Sequence, residues 1–365
     1  MKMGIVGLPN AGKSTLFSAI MQIAAEASNY PFCTIDPNIG RAIVPDERVE
    51  VLTKMYNSKS TVHATVEMVD IAGLIKGASK GEGMGNQFLS NIREVDALVH
   101  VVRCFADQNV IHVYENVDPV RDIETVDLEL IFSDLEMVER RLIKVEKTAR
   151  VDKAFRREAD ILAKIKETLE QGKPARSLVW DEAEDIRLVE SFTLITQKPV
   201  LYAANVSEDE LTGDPKPGSP LEALVNYAKA EGSTYYVSCA KLEAEIATLA
   251  PEEKQMFLED LGLQESGLDR LINAGYEMLG LVSFLTAGEK EVRAWTVRKN
   301  TKAPQAAGKI HSDLERGFIR AEVVAYTALV ESGSYNAAKE KGLVRIEGKE
   351  YVVQDGDVVL IRFNV

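Results

Sequence analysis

Gly7-Leu8-Pro9-Asn10-Ala11-Gly12-Lys13-Ser14-Thr15 decides the fold of this chain. The run fits G-x-x-x-x-G-K-[ST] and has the flanks that pattern requires. Residues 2–6, apolar after Lys2, predict a buried strand before it, and residues 14–25, with Leu16, Phe17 and Ile20 turned inward, predict a helix after it. Strand, glycine turn and helix together make a phosphate loop. Glycine lets main-chain N–H groups turn inward around a β-phosphate, and the helix N-terminus adds partial positive charge. Lys13 would reach the β- and γ-oxygens and the Ser14 hydroxyl would ligate Mg²⁺.

Two further elements fit a nucleotide switch. Asp70-Ile71-Ala72-Gly73 ends the alternating run 62–71, so a carboxylate falls near the Mg²⁺ shell and the Gly73 amide near a γ-phosphate. The glycines that follow, at 77, 81, 83 and 85, suit a mobile segment. Thr34, in Tyr30-Pro31-Phe32-Cys33-Thr34, lies where a first switch would offer a hydroxyl to Mg²⁺; the alternative is a plain loop threonine. Base choice is set after the run 199–203, where guanine readers carry N-K-x-D. Here the chain has Asn205-Val206-Ser207-Glu208, and N-K-x-D is absent. Glutamate does not reproduce the aspartate fork on guanine, whereas adenine offers a donor beside an acceptor that main chain can read. Adenine is therefore favoured over guanine, with Ser238-Cys239-Ala240-Lys241 as the second wall of the base pocket.

Apolar runs at 97–102, 199–203 and 234–237 alternate with helical stretches, the signature of a doubly wound α/β sheet. One interval departs from it. Leu128, Leu135 and Leu142 recur every seven residues, interleaved with Ile131, Val138 and Val145, and a second helix carries Phe155, Leu162, Ile165 and Leu169 before Gly172 and Pro174. This predicts an inserted antiparallel helical hairpin. Its outward residues Arg140, Arg141, Lys144, Lys147, Arg150, Lys153, Arg156 and Arg157 form either a solvated face or a ligand site. From Gly288 onward, strands at 292–297, 317–325, 350–353 and 358–363 with a helix at 335–341 predict a small α+β module.

The 365 residues are 45% hydrophobic and 27% charged, which excludes collagen-like, disordered and disulfide-scaffold classes. Cys33, Cys104 and Cys239 form no CxxC pair, so a reducing, cytoplasmic setting is expected. No membrane span or secretory leader is expected, because no run of 18 apolar residues occurs. A net charge of −14 argues against whole-surface binding to nucleic acid. The last 85 residues nevertheless carry 13 Lys or Arg against 11 Asp or Glu, which nominates the tail as the part that could face RNA.

The phosphate loop, DIAGL, NVSE, the hairpin and the tail VRAWTVRKNTKAPQAAGKIHSDLERGFIRAEVV with KEYVVQDGDVVLIRFNV resemble the YchF/Obg-like ATPase family over essentially the whole chain. The resemblance implies a P-loop G domain over 1–126 and 198–280, an inserted coiled coil over 127–197 and a β-grasp-like TGS domain over 281–365. It also implies ATP hydrolysis in preference to GTP and association with the ribosome or its large subunit; RNA, from the charge of the tail, is a further expected partner, and a monomer is expected. By motif, Asn10, Ala11, Gly12, Lys13, Ser14 and Thr15 would hold phosphates, Ser14, Thr34 and Asp70 the Mg²⁺, and Asn205, Val206, Glu208 and Ser238 the base. Leu74 replaces the glutamine that orients water in many relatives, so slow intrinsic hydrolysis is expected. His112 is the candidate to hold the attacking water, unless it merely occupies a strand or loop face. Asn10 resembles the asparagine with which cation-dependent relatives bind K⁺. The rivals are a GTPase of the same fold, a nucleotide-gated RNA or ribosome adaptor and, more distantly, a metabolic P-loop kinase.

Overall fold

A computed structural model describes residues 1–26, 38–71 and 84–364. Thr34, Gly73 and Leu74, with the glycines at 77, 81 and 83, lie outside the described residues. In chain order the first seven strands are β1 (Lys2–Val6), β2 (Ile39–Ile43), β3 (Thr61–Val62), β4 (Thr65–Asp70), β5 (Ala97–Arg103), β6 (Val200–Asn205) and β7 (Thr234–Ser238). Five more follow in the tail: β8 (Leu281–Ala287), β9 (Val292–Arg298), β10 (Phe318–Ala325), β11 (Arg345–Glu347) and β12 (Asp357–Phe363).

The first sheet has the order β2-β4-β1-β5-β6-β7, and β4, β1, β5, β6 and β7 pair in parallel. All seven residues of β5 are buried, as expected for a central parallel strand covered on both faces. Strand order reverses at β1, so the glycine turn emerges where open α/β sheets bind ligands. The doubly wound expectation therefore holds. The alternating run 62–71 is not one strand. It breaks at His63-Ala64 into β3, which pairs with β9, and β4, which pairs with β1, because two different sheets take up one continuous pattern.

The hairpin consists of helices Pro119–Ala149 and Arg156–Glu170. The long helix starts earlier than the heptads indicate, because Asp118 accepts a hydrogen bond from the Arg121 amide as N-cap and Pro119 occupies the first turn. Its first turns bury Ile123, Val126 and Leu130 in the same core as Val6, Leu98 and Tyr202, so the hairpin is rooted in the sheet domain. Farther out, Ile131, Val138, Leu142 and Val145 pack on Ile161, Leu162, Ile165 and Leu169. Two predicted seam positions face outward instead, Leu128 at 42% exposed and Phe155 at 38%. The base is fastened by ions: Arg176 Nη2 donates to Asp127 at 2.8 Å and Glu231 at 2.9 Å, and the Tyr202 hydroxyl donates to Glu231 at 2.7 Å.

The chain divides into two compact units, one of Met1–Gly40 with Glu67–Leu271 and one of Arg41–Val66 with Ile272–Val365. This differs from the boundaries read from sequence. Residues 41–66 join the tail because the helix Glu47–Tyr56 packs on β8 and β9 while β3 pairs with β9. Within that unit the sheet order is β11-β10-β12-β8-β9-β3, with β10 and β12 antiparallel and β12 and β8 parallel. Ala303, Ala306 and Ala307 let the helix Ala303–Ile310 settle closely over Phe284, Val297 and Val323. The strand expected at 350–353 is absent; only Val352 bridges to Lys302, while Tyr351 and Gln354 bond to Asp357.

Candidate functional site

The glycine turn closes upon itself and upon two neighbouring strand ends. Asn10 adopts φ 61° and Gly12 φ 103°, the left-handed backbone that a tight phosphate-loop turn uses, and the Ala11 amide closes it on the Leu8 carbonyl at 3.4 Å. A Cβ at Gly12 would overlap Nδ2 of Asn205, and one at Gly7 would overlap the Val101 carbonyl, so both positions need glycine. Lys13 is 7% exposed and its Nζ donates to the Leu8 carbonyl at 2.7 Å. Burial lowers its pKa to about 8, partly opposed by the Asp70 carboxylate. Ser14 and Thr15, opening the helix Lys13–Glu26, are exposed to the cleft.

Asp70 ends β4 beside Ile5 of β1. Burial raises its pKa, and the Lys13 ammonium pulls it back down. A half-buried carboxylate near that lysine, together with an exposed serine hydroxyl, is the hard-oxygen donor set that Mg²⁺ prefers. The donors among the described residues therefore suit the ion.

Asn205 joins the two halves of the cleft. Its side chain is 5% exposed, donates from Nδ2 to the Ala11 carbonyl at 2.9 Å and accepts at Oδ1 from the Ala240 amide at 2.9 Å. It thus tethers the phosphate loop to the 238–241 segment, a role that the base-reading motif did not reveal. Val206 lines the cleft as expected, but its amide donates to the Ser238 carbonyl at 2.9 Å, and Ser238 is buried behind the cleft rather than lining it. Glu208 does line the cleft, with its carboxylate 3.8 Å from Lys241 Nζ.

The cleft encloses about 610 Å³, within the range of nucleotide-sized pockets. Its other wall, formed by Phe105, Ala106, Asp107 and Val110, was not anticipated. The available signal was the position of Arg103-Cys104-Phe105 at the C-terminal end of β5, next to the strand-order reversal. The same loop reaches the phosphate side, where Asn10 Nδ2 donates to the Ile111 carbonyl at 3.1 Å.

His112 follows on that loop but does not present a free nitrogen. The Tyr114 amide donates to Nδ1 at 3.1 Å, so Nε2 carries the proton and donates to Asp122 at 2.8 Å. Its side chain is 6% exposed. In this conformation His112 pins the loop to the helix Pro119–Ala149, and holding a water would require the ring to leave Asp122. On the hairpin, several cations of the basic run are already paired: Arg140 with Glu136, Arg141 with Glu158, and Arg157 with Glu184 and Asp185.

A family model described as "50S ribosome-binding GTPase" matches residues 2–145. A second, YchF-GTPase_C, described as a protein of unknown function (DUF933), matches residues 281–364. The "Ribosome-binding ATPase YchF" of Bacillus subtilis is 59% identical over 363 residues, 99% of this chain and 99% of that protein. The protein of the same name from Escherichia coli O157:H7 is 47% identical over 100% of this chain and 99% of its own length. "Obg-like ATPase 1" of Oryza sativa subsp. japonica is 44% identical over 100% of this chain and 92% of its own. The solved structure of the Schizosaccharomyces pombe YchF GTPase superposes with a TM-score of 0.89 at 39% identity, covering 99% of this chain and 97% of that one.

Proposed function

The chain belongs to the YchF/Obg-like ATPase family, and from that premise we propose that it is a Mg²⁺-dependent ATPase that binds the ribosome and acts there as a nucleotide switch. The observation that carries this reading is the Asn205 tether. Phosphate cradle and purine pocket are held as one cleft before any ligand arrives, which lowers the ordering cost of binding. In this reading the amides of residues 10–15 and the Lys13 ammonium take the phosphates, with Lys13 exchanging the Leu8 carbonyl for phosphate oxygen. Ser14, Asp70 and, by sequence, Thr34 would hold Mg²⁺, which would supply positive charge to neutralise the phosphates. The Gly73 amide would face the γ-phosphate. Glu208 lines the cleft and would accept from an exocyclic amine, and the absence of the lysine and aspartate of N-K-x-D favours adenine. His112 contributes to turnover only after its ring leaves Asp122, which suits a switch with slow intrinsic hydrolysis. K⁺ beside Asn10 would add positive charge to the phosphates. The unpaired part of the hairpin's basic face and the tail supply surfaces for the ribosome and its RNA. No described helix is long and apolar enough to cross a membrane.

Calorimetry and phosphate release with purified protein test this reading. ATP with Mg²⁺ is expected to bind at least tenfold more tightly than GTP (about 1.4 kcal/mol), and EDTA is expected to abolish turnover. Uptake of GTP without uptake of ATP would establish the GTPase instead. Ribosome binding that still follows nucleotide occupancy after turnover is lost would establish the adaptor.

A further inference from the structure

The wall formed by residues 105–110 has almost no secondary structure of its own, yet it bounds the nucleotide cleft. Irregular chain in that position needs its main-chain carbonyls satisfied by something. Three of them converge on one side chain. Arg103, the last residue of β5 and 3% exposed, donates from Nε to the Phe105 carbonyl at 3.1 Å, from Nη1 to Val110 at 3.0 Å and from Nη2 to Asp107 at 3.2 Å. The face of the same guanidinium lies 4.6 Å from the centroid of the Phe105 ring. Arg103 stands directly across from Asn205 in the β5–β6 pairing, and the Cys104 amide donates to the Asn205 carbonyl at 2.8 Å. Two adjacent strand ends thus fasten the two walls of one cleft, Asn205 the phosphate loop and the 238–241 segment, Arg103 the 105–110 loop.

We propose that Arg103 is a positioning residue for nucleotide binding, holding Phe105 and Val110 as the apolar wall against which the purine ring lies. This rests on the nucleotide-hydrolase reading above and adds to it a residue that no phosphate-loop or base-reading motif contains. The planar fork is essential, because an ammonium cannot bond three carbonyls spread over six residues. The wall acts on the ring and not on its exocyclic groups, so it serves adenine and guanine alike. The phosphates are held from the other side by Lys13 and the loop amides; the chain just beyond the wall meets the phosphate loop through Asn10 Nδ2 on the Ile111 carbonyl, so triphosphate binding is the control for that contact.

The test is calorimetric titration of wild type, Arg103→Lys, Phe105→Ala and the double variant with ATP, GTP and inorganic triphosphate, each with Mg²⁺. Arg103→Lys is expected to weaken ATP and GTP by the same factor, roughly tenfold or more, to change triphosphate binding by less than about twofold, and to raise KM more than it lowers kcat. In the Phe105→Ala background the same substitution is expected to add little, since the residue acts through that wall. An Arg103→Lys protein that binds ATP as wild type does, or that loses triphosphate as steeply as ATP, overturns the proposal. Should that variant fail to fold, Arg103→Gln takes its place with the same expected outcomes, and Phe105→Ala tests the wall itself: unchanged ATP affinity overturns the proposal. Wild-type protein that binds neither ATP nor triphosphate would instead defeat the hydrolase reading.

Discussion

Single residues in this cleft do structural and chemical duty at once. Asn205 illustrates it: the motif marks it as a base reader, while its amide bonds the Ala11 carbonyl on one side and the Ala240 amide on the other. Removing it strands two buried main-chain groups, which costs about 1–3 kcal/mol for each group left unsatisfied. Asn205→Ala is therefore expected both to lower the urea midpoint and to weaken ATP by at least tenfold. A variant that lost affinity at unchanged stability would show that Asn205 acts on the ligand alone. His112 makes the complementary point. Its residue type and its place on the loop were legible in the sequence, but its engagement with Asp122 and the Tyr114 amide depends on residues two and ten positions away folding back upon it.

At the scale of elements, the long hairpin helix gains its stability from anchors as much as from its seam. Asp134 is fully buried and accepts from the Ile195 amide at 3.1 Å, the Thr196 amide at 2.7 Å and the Thr196 hydroxyl at 2.8 Å. Arg93, at the end of the helix Met84–Arg93, adds a fourth donor at 3.3 Å. The carboxylate thus ties the outgoing helix to the returning chain just before β6. Asp134→Ala leaves the Ile195 and Thr196 donors without this acceptor and is expected to destabilise the fold by about 3–5 kcal/mol, measured by urea unfolding with Trp180, which packs on the hairpin core, as reporter. A loss below about 1 kcal/mol would mean that water reaches the anchor. The heptads correctly predicted two antiparallel helices. They could not show the first turns of helix at 119–127, because those residues pack on a sheet and not along a coiled-coil seam.

At the scale of the whole molecule, the two units differ in charge and should differ in their response to acid. In the tail unit Glu322 is held by Arg362 Nε at 2.8 Å and by the Tyr335 hydroxyl at 2.6 Å, and these bonds lower its pKa from 4.5 to about 2. A folded-state pKa below the unfolded value contributes stability that is present above about pH 4.5 and is lost as pH falls toward 2. Glu322→Gln is expected to flatten the acid dependence of the tail unit in that window, followed by fluorescence of Trp295 in β9. An unchanged profile would assign the acid response to other carboxylates. The sequence by itself determined the phosphate loop, the parallel sheet, the inserted hairpin, the acid-rich body with its weakly basic tail, and the missing guanine reader. Each of these depends on residue types a few positions apart, where periodicity, backbone freedom and charge act locally. Only the tertiary structure decided that residues 41–66 belong with the tail, that Asn205 and Arg103 fasten opposite walls of the cleft, and that His112 is tied to Asp122. Those pairings are fixed by which strand ends and loops become neighbours after packing, and strand neighbours in a doubly wound sheet are not neighbours in sequence.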